Sequence, residues 1–186
     1  QAAKRLETGI IRELNDLEMP KAQFEAAIVS CPEEGFNENG TDKVEFMFSP
    51  NVGEPIKPLS KIVSGGEMSR VMLAIKSILA DIDDVPTLIF DEIDTGVSGK
   101  AASKLGEKLK KLGKNHQVIC ITHHAQIASQ ADAHYLIEKN EQSGRTITSV
   151  KLLENEQREN EITRLLSGEH VTEAARKLAR ELLDNM

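Results

Sequence analysis

The apolar positions change period several times along the chain, and each change marks a predicted element. Leu6, Ile10, Leu14 and Leu17 fall at helical spacing and predict a helix over residues 1–18. It closes at Met19-Pro20, because the residue before a proline avoids the helical region. AQFEAAIVS (22–30) and KVEFMFSP (43–50) read as strands, and the Gly-, Pro- and Asn-rich CPEEGFNENGTD between them makes a hairpin with a long loop. After the connection PNVGEPIKPLSK, the helical period returns in SGGEMSRVMLAIKSILA, carried by Met68, Val71, Met72, Ile75, Ile78 and Leu79. PTLIFDE (86–92) is a short apolar run of the kind a parallel sheet buries on both faces. A helix follows with Ser98 as its N-cap and Ala102, Leu105, Leu109 and Leu112 inside. HQVICITHH (116–124) repeats the buried-strand pattern and leads into a short helix. AHYLIEKN and TITSVKLLE flank EQSGR as an outer hairpin, and two helices, 155–167 and 171–184, close the sequence.

The centre is therefore strand–helix–strand–helix, which calls for parallel pairing and an α/β fold: a mainly parallel sheet flanked by helices, with a β-hairpin attached. Ligands of such sheets bind at the carboxyl ends of the strands, which here carry Asp91-Glu92 and Thr122-His123-His124. Composition narrows the function classes. With 39% hydrophobic and 28% charged residues, the 186-residue chain has the balance of a folded domain with its own core, not of a disordered one. No apolar run approaches the ~20 residues of a membrane helix. A net charge of −7 gives no global support for nucleic-acid contact, and KLKKLGK (108–114) reads as the solvated face of a helix. Five Phe, one Tyr and no Trp argue against an aromatic platform for single strands. Cys31 and Cys120 belong to no CxxC pair, which speaks against zinc and a disulfide framework and for a reducing cytoplasm. The opening QAAKRLETGIIRELNDLEM has neither an initiating Met nor a signal-peptide core and reads as the interior of a longer chain.

The chemistry begins with an absence. A phosphate-binding loop needs G-x-x-x-x-G-K-[ST], so that successive N–H groups wrap a phosphate, Lys neutralises it and a hydroxyl binds magnesium. GVSGKAA (96–102) has only Val97 and Ser98 between its glycines, Ala101 replaces the hydroxyl, and Asp94 stands where the first glycine belongs. Gly35 and Gly40 have the right gap but are followed by Thr41-Asp42 in a hairpin loop. TLIFDE nevertheless resembles the strand that accompanies a phosphate loop: the carboxylate at its tip suits an outer-shell magnesium ligand, and the next can orient an attacking water. Taken alone, the strand equally reads as one that merely ends in polar residues. SGGE at a helix start adds two glycines that permit close approach and free N–H groups at the positive end of the helix dipole, with Ser64 as a further donor. It also has a bland reading, an ordinary glycine-containing N-terminus. The order is what raises the specificity: SGGE precedes the Asp-Glu strand by about 25 residues, and a Thr-His strand tip follows it by about 30. His123 there suits a hydrogen-bonding sensor of a terminal phosphate. Its neighbour His124 would point to the opposite face of a strand, which speaks against a shared metal.

These motifs carry a resemblance. Ser64-Gly65-Gly66-Glu67 resembles the signature motif of ABC-type ATPases, Thr87–Glu92 the Walker B strand, Thr95–Ser98 the D-loop, and His123 the switch histidine. The wording of FMFSPNVGEPIKPLSKIVSGGEMSRVMLAIK and PTLIFDEIDTGVSGKAA is closer still to the RecN family of bacterial DNA-repair proteins, relatives of the SMC ATPases. The similarity is weakest at the first helix and over the last 40 residues. It implies the C-terminal lobe of a split ATPase head, with 1–18 the end of a coiled-coil helix, 19–186 the lobe itself, and the Walker A lobe elsewhere in the parent protein. It further implies ATP and Mg2+ as ligands. Ser64, Gly65, Gly66, Glu67, Asp91 and Ser98 would bind nucleotide, Asp91 would hold Mg2+ through water, and Glu92 and His123 would serve catalysis. Expected partners are the Walker A lobe, a second head joined through ATP, and DNA through the full-length protein. The expected setting is the bacterial cytoplasm, at the nucleoid, in repair of double-strand breaks. One departure stands out: Ser98 occupies a D-loop position usually held by Asp, which puts in doubt any role there that needs a carboxylate. Two alternatives remain at this point, the head of another SMC or ABC-type ATPase and a non-catalytic ATP-gated clamp.

Overall fold

The alternations of period fold as the sequence suggests, with a few informative exceptions. The computed structural model describes residues 1–186 apart from 33–37, 39, 81, 83, 143–144, 169 and 185–186, so half of the 31–42 loop lies outside the described residues. The chain forms two compact units, one of residues 1–97 and 112–121 and the other of 98–111 and 122–186.

In the first unit, helix α1 (Ala2–Asp16) is followed by strands β1 (Gln23–Ser30), β2 (Asp42–Ser49) and β3 (Lys57–Pro58), helix α2 (Gly65–Leu79), and strands β4 (Thr87–Phe90) and β5 (Gln117–Cys120). Strands β1 and β2 pair antiparallel from Gln23↔Ser49 to Ser30↔Asp42, and β3 adds two residues against Met47 and Phe48. The two-residue β3 was not foreseen, since Pro58 cannot donate to a ladder and so hides a short edge strand in the sequence. Ile10 and Leu14 of the α1 stripe pack with Met19, Ala22, Phe24, Phe48, Val71, Ala74 and Ile75 into one core. Phe24 and Phe46 add a tilted ring pair at 5.4 Å. Helix α1 is thus part of this unit's core.

Strands β4 and β5 pair in parallel, Thr87↔Gln117 to Phe90↔Cys120, as a β–α–β order requires. Backbone bonds from Gln117 N–H to Pro86 O (2.8 Å) and from Ile121 N–H to Phe90 O (2.9 Å) extend the pairing at both ends. Parallel pairing is confined to these two strands; the other two described sheets are antiparallel and small. The expected burial on both faces is corrected. Leu88 and Phe90 are buried, whereas Ile89 is 67% exposed and Ile119 and Ile121 are also exposed. Among the described residues, one face of this sheet is covered and the face bearing Ile89, Ile119 and Ile121 is open.

The second unit contains most of α3 (Gly99–Leu112), then α4 (Ala125–Ala128), the hairpin of β6 (His134–Gln142) and β7 (Arg145–Leu153), and helices α5 (Asn155–Ser167) and α6 (Glu173–Asp184). Ala125, Ala128, Ile162 and Ala179 form its core, flanked by Leu165, Leu166, Leu182 and Leu183. Polar ties brace the helices: Arg158 donates to the carbonyls of Ser129 and Ala131, and Arg180 pairs with Glu159 at 2.9 Å. Among the described residues, no helix is long and apolar enough to cross a membrane.

Candidate functional site

The first unit brings Ser64, Gly65, Gly66, Glu67, Asp91 and Glu92 together where the start of α2 meets the exit of β4. Helix α2 begins because Ser64, in an extended conformation, caps it: its Oγ accepts the Glu67 N–H at 3.4 Å. The remaining N–H groups of the first turn have no partner within the helix, so this end carries partial positive charge. Strand β4 delivers Asp91 to an exposed position, where Asp91 Oδ1 accepts the N–H of Glu92 at 2.9 Å. Glu92 then adopts φ +55°, a left-handed conformation uncommon for a residue with a side chain. Thr95 N–H donates to Glu92 O at 3.0 Å and Val97 N–H to Asp94 O at 3.1 Å, so the chain turns sharply with Gly96 at φ +72°.

The glycine pair has an explanation inside the chain. A Cβ at Gly66 would stand 3.0 Å from the Glu92 carbonyl oxygen, 3.1 Å from Thr95 Cβ and 3.3 Å from Arg70 Nη1. A Cβ at Gly65 would collide with the Glu92 carboxylate, which lies against the helix N-terminus where negative charge is favoured. The helix start therefore packs on the Asp91–Thr95 turn with nothing thicker than a backbone between them. Ser69 Oγ adds a bond to Asp91 O at 2.9 Å.

Arg70 was not singled out in the sequence, yet at this junction it joins helix α2 to two backbone carbonyls of the turn. It is only 9% exposed; Nη1 donates to Ile93 O at 3.1 Å and to Thr95 O at 2.9 Å, and Nε faces Met19 Sδ at 3.4 Å. Burial pulls its pKa down, while Glu67 and Asp94 pull it up. The available signal was its place on the helix, three and four residues before the buried Leu73 and Ala74: an arginine on an apolar stripe needs partners. Nearby, burial pushes the Cys120 thiol up to about 12, helped by Asp94 and Asp91, which favours the protonated thiol over the thiolate at neutral pH.

Ser98 and His123 belong to the second unit. Ser98 caps α3 as the sequence suggests, its carbonyl accepting Ala102 N–H at 2.8 Å and its Oγ accepting Ala101 N–H at 3.4 Å. His123 is exposed, and its ring lies 4.7 Å from that of His124 at a 37° tilt. The expectation that these imidazoles point to opposite faces of a strand is corrected: β5 ends at Cys120, so strand alternation does not govern residues 123–124.

A magnesium ion takes hard oxygen ligands and keeps several waters. The Asp91 carboxylate, exposed at a strand tip and steadied through one oxygen, is a donor of that kind. The N-terminus of α2 has the chemistry to meet a phosphate.

Comparisons with known proteins fix the class and then the family. The fold is that of SMC head domains. The chain superposes on a structure from work on the ATP-driven dimerisation and DNA-stimulated activation of SMC ATPases with a TM-score of 0.51, at 19% identity, covering 91% of this chain and 96% of the other. It also superposes on the Smc head domain with coiled coil and joint from Pyrococcus yayanosii, with a TM-score of 0.55 at 20% identity, covering 95% of this chain and 28% of the other. At such identities only the fold follows. No protein-family profile matches the chain. In sequence it is 45% identical over 186 residues to the DNA repair protein RecN of Halalkalibacterium halodurans, covering 99% of this chain and 33% of that protein. It is 45% identical over 194 residues to RecN of Bacillus subtilis (97% and 34%) and 46% identical over 182 residues to RecN of Rickettsia felis (98% and 33%). The chain belongs to the RecN family of DNA repair proteins, and it spans about a third of the length of these relatives.

Proposed function

We propose that the chain is the signature-bearing lobe of an ATP-hydrolysing head, acting within a RecN-type protein in the repair of DNA double-strand breaks. The observation that carries this reading is the α2–β4 junction: a capped, glycine-thin helix N-terminus packed on a strand tip that ends in two exposed carboxylates. In the proposed head, the nucleotide sits on a phosphate loop supplied by the rest of the parent protein. Ser64 and the N–H groups of Gly65 and Gly66 reach the terminal phosphate of a nucleotide held by a second head, and Glu67 secures the helix start. Asp91 would hold Mg2+ through water and Glu92 would position the attacking water, while Ser98 and His123 of the second unit would each serve the nucleotide as the family resemblance implies. Mg2+, when bound, supplies neutralisation of the charge that develops on the transferred phosphoryl group.

The surfaces left open support a missing partner. The β4–β5 sheet exposes Ile89, Ile119 and Ile121, and a shallow groove of about 200 Å³ runs beside β4 between Met68, Met72, Leu88 and Phe90. In the second unit, the directly opposed pairs Tyr135↔Leu152 and Ile137↔Val150 put four exposed apolar side chains on one face of the β6–β7 hairpin. A chain covering a third of its relatives leaves ample sequence to cover both. On this reading the N-terminal lobe is the first partner, a second head the next, and DNA is met by the whole protein.

The direct test is Glu92→Gln in the full-length protein. Nucleotide binding is expected to persist while turnover falls on the order of 10²-fold or more, the effect of losing one well-placed catalytic group. Turnover equal to wild type removes Glu92 from the chemistry and the proposed site with it.

A further inference from the structure

Glu92 is held in a conformation that its own preferences disfavour. A non-glycine residue in the left-handed region costs of order 1 kcal/mol or more and persists only where its surroundings over-determine it. Three sets of contacts do so here. The Glu92 N–H is fixed by Asp91 Oδ1, and its carbonyl by Thr95 N–H. The turn beyond it is fixed by Arg70, whose Nη1 spans the carbonyls of Ile93 and Thr95 on either side of Asp94. The first two are made by the turn to itself. Arg70 comes from α2, six residues after Ser64 and on the buried side of the same helix, next to Ser69, whose Oγ donates to Asp91 O at 2.9 Å.

We propose that Arg70 is the positioning residue that ties the start of α2 to the Glu92 turn, so that a load on one half of the junction moves the other. This rests on the proposed ATPase reading, in which Ser64–Gly66 serves the nucleotide of a second head and Glu92 serves the nucleotide of its own. The guanidinium is suited to the task. It is planar, permanently charged and able to donate to two carbonyls from one nitrogen, whereas an ammonium on a flexible stem offers no fixed fork. Gly66 completes the device, since its missing side chain lets Arg70 Nη1 and the Glu92 carbonyl lie within contact of the helix backbone. Closing of a second head on the α2 N-terminus is thereby transmitted, chiefly through the Arg70 guanidinium and beside the Ser69 bond to Asp91 O, to the backbone that aims the Glu92 carboxylate.

The experiment compares full-length wild type, Arg70→Met, Arg70→Lys and Glu92→Gln at a temperature well below each melting point. Steady-state ATP turnover, KM for ATP and amide hydrogen exchange over residues 91–97 are measured. The expected result is a kcat about 10²-fold lower in Arg70→Met, the scale on which misplacing a catalytic group acts, with KM within about twofold and faster exchange over 91–97. Arg70→Lys should fall between it and wild type. If Arg70→Met does not fold, Arg70→Lys decides alone, with a kcat at least about fivefold below wild type at unchanged KM expected. A folded Arg70→Met, or in its absence an Arg70→Lys, with wild-type kcat overturns the proposal. So does a lower kcat that comes only with a matching rise in KM, because that is general disruption of the head. Glu92→Gln separates the two levels. If it turns over normally, the ATPase reading itself has failed; if it is inactive while the Arg70 variants are normal, only the role of Arg70 has.

Discussion

The α2–β4 junction and the β6–β7 hairpin make opposite use of their side chains. At the junction, polar groups are satisfied within the chain: the buried Arg70 has two carbonyl partners and Ser69 bonds Asp91 O, while Gly66 is pressed against the turn. On the hairpin, apolar groups are exposed: Tyr135 and Ile137 of β6 and Val150 and Leu152 of β7 face solvent across the ladder. A two-stranded ribbon is marginal by itself, and cross-strand apolar pairs add little until something covers them. The junction is complete within the chain, whereas the hairpin is finished only in its base, where Leu153 is buried. One region is closed within this chain, and the other is the face that a partner covers on the proposed reading.

That contrast can be broken by substitution. Gly66→Ala should have the larger effect, because the new methyl meets a carbonyl oxygen at 3.0 Å and Thr95 Cβ at 3.1 Å, neither of which can swing aside. A loss of about 1–3 kcal/mol in chemical denaturation is expected. Gly65→Ala is its control: the obstacle is the far end of the Glu92 side chain, which can rotate away, and alanine favours the helix, so stability should change by less than about 1 kcal/mol. Equal losses for the two would mean that the packing of Gly66 on the turn is not what holds the junction. Val150→Thr on the hairpin should be the mildest, within about 0.5 kcal/mol in this chain because the side chain is 64% exposed. In the full-length protein the same change should cost clearly more, about 1 kcal/mol, if a partner lobe covers that face. An equally small cost in both would leave the hairpin face uncovered and remove it from the argument for a partner.

Much of this architecture was legible in the sequence because the period of the apolar residues is the cause of the elements. Helix α2 and strands β4 and β5 fall where the changes of period put them, and Ser98 caps α3 as its residue type suggests. What escaped the reading has physical reasons. The apolar run of β4 states how both faces end up in a finished sheet, not how many are covered within this chain, and Ile89 is the residue that tells the difference. The glycines of SGGE suggest approach by a phosphate; that they also admit the Glu92 turn is a packing role the motif alone does not announce. Arg70 escaped because a lone arginine among apolar helix positions names no partner until the turn carbonyls of Ile93 and Thr95 are in view. The histidine pair was misread because β5 stops at Cys120, and the boundary of a short strand is the least legible feature of a sequence.

The central claim is that this chain is one part of a composite ATPase whose phosphate loop lies in another part of the same protein. The most direct measurement is ATP turnover by the chain alone, by the complementary N-terminal part of a RecN protein alone, and by the two combined, each with and without Glu92→Gln. The account predicts negligible turnover by either part, and turnover on combination that Glu92→Gln abolishes. Glu92-dependent turnover by this chain alone, or combined turnover indifferent to Glu92, would contradict it.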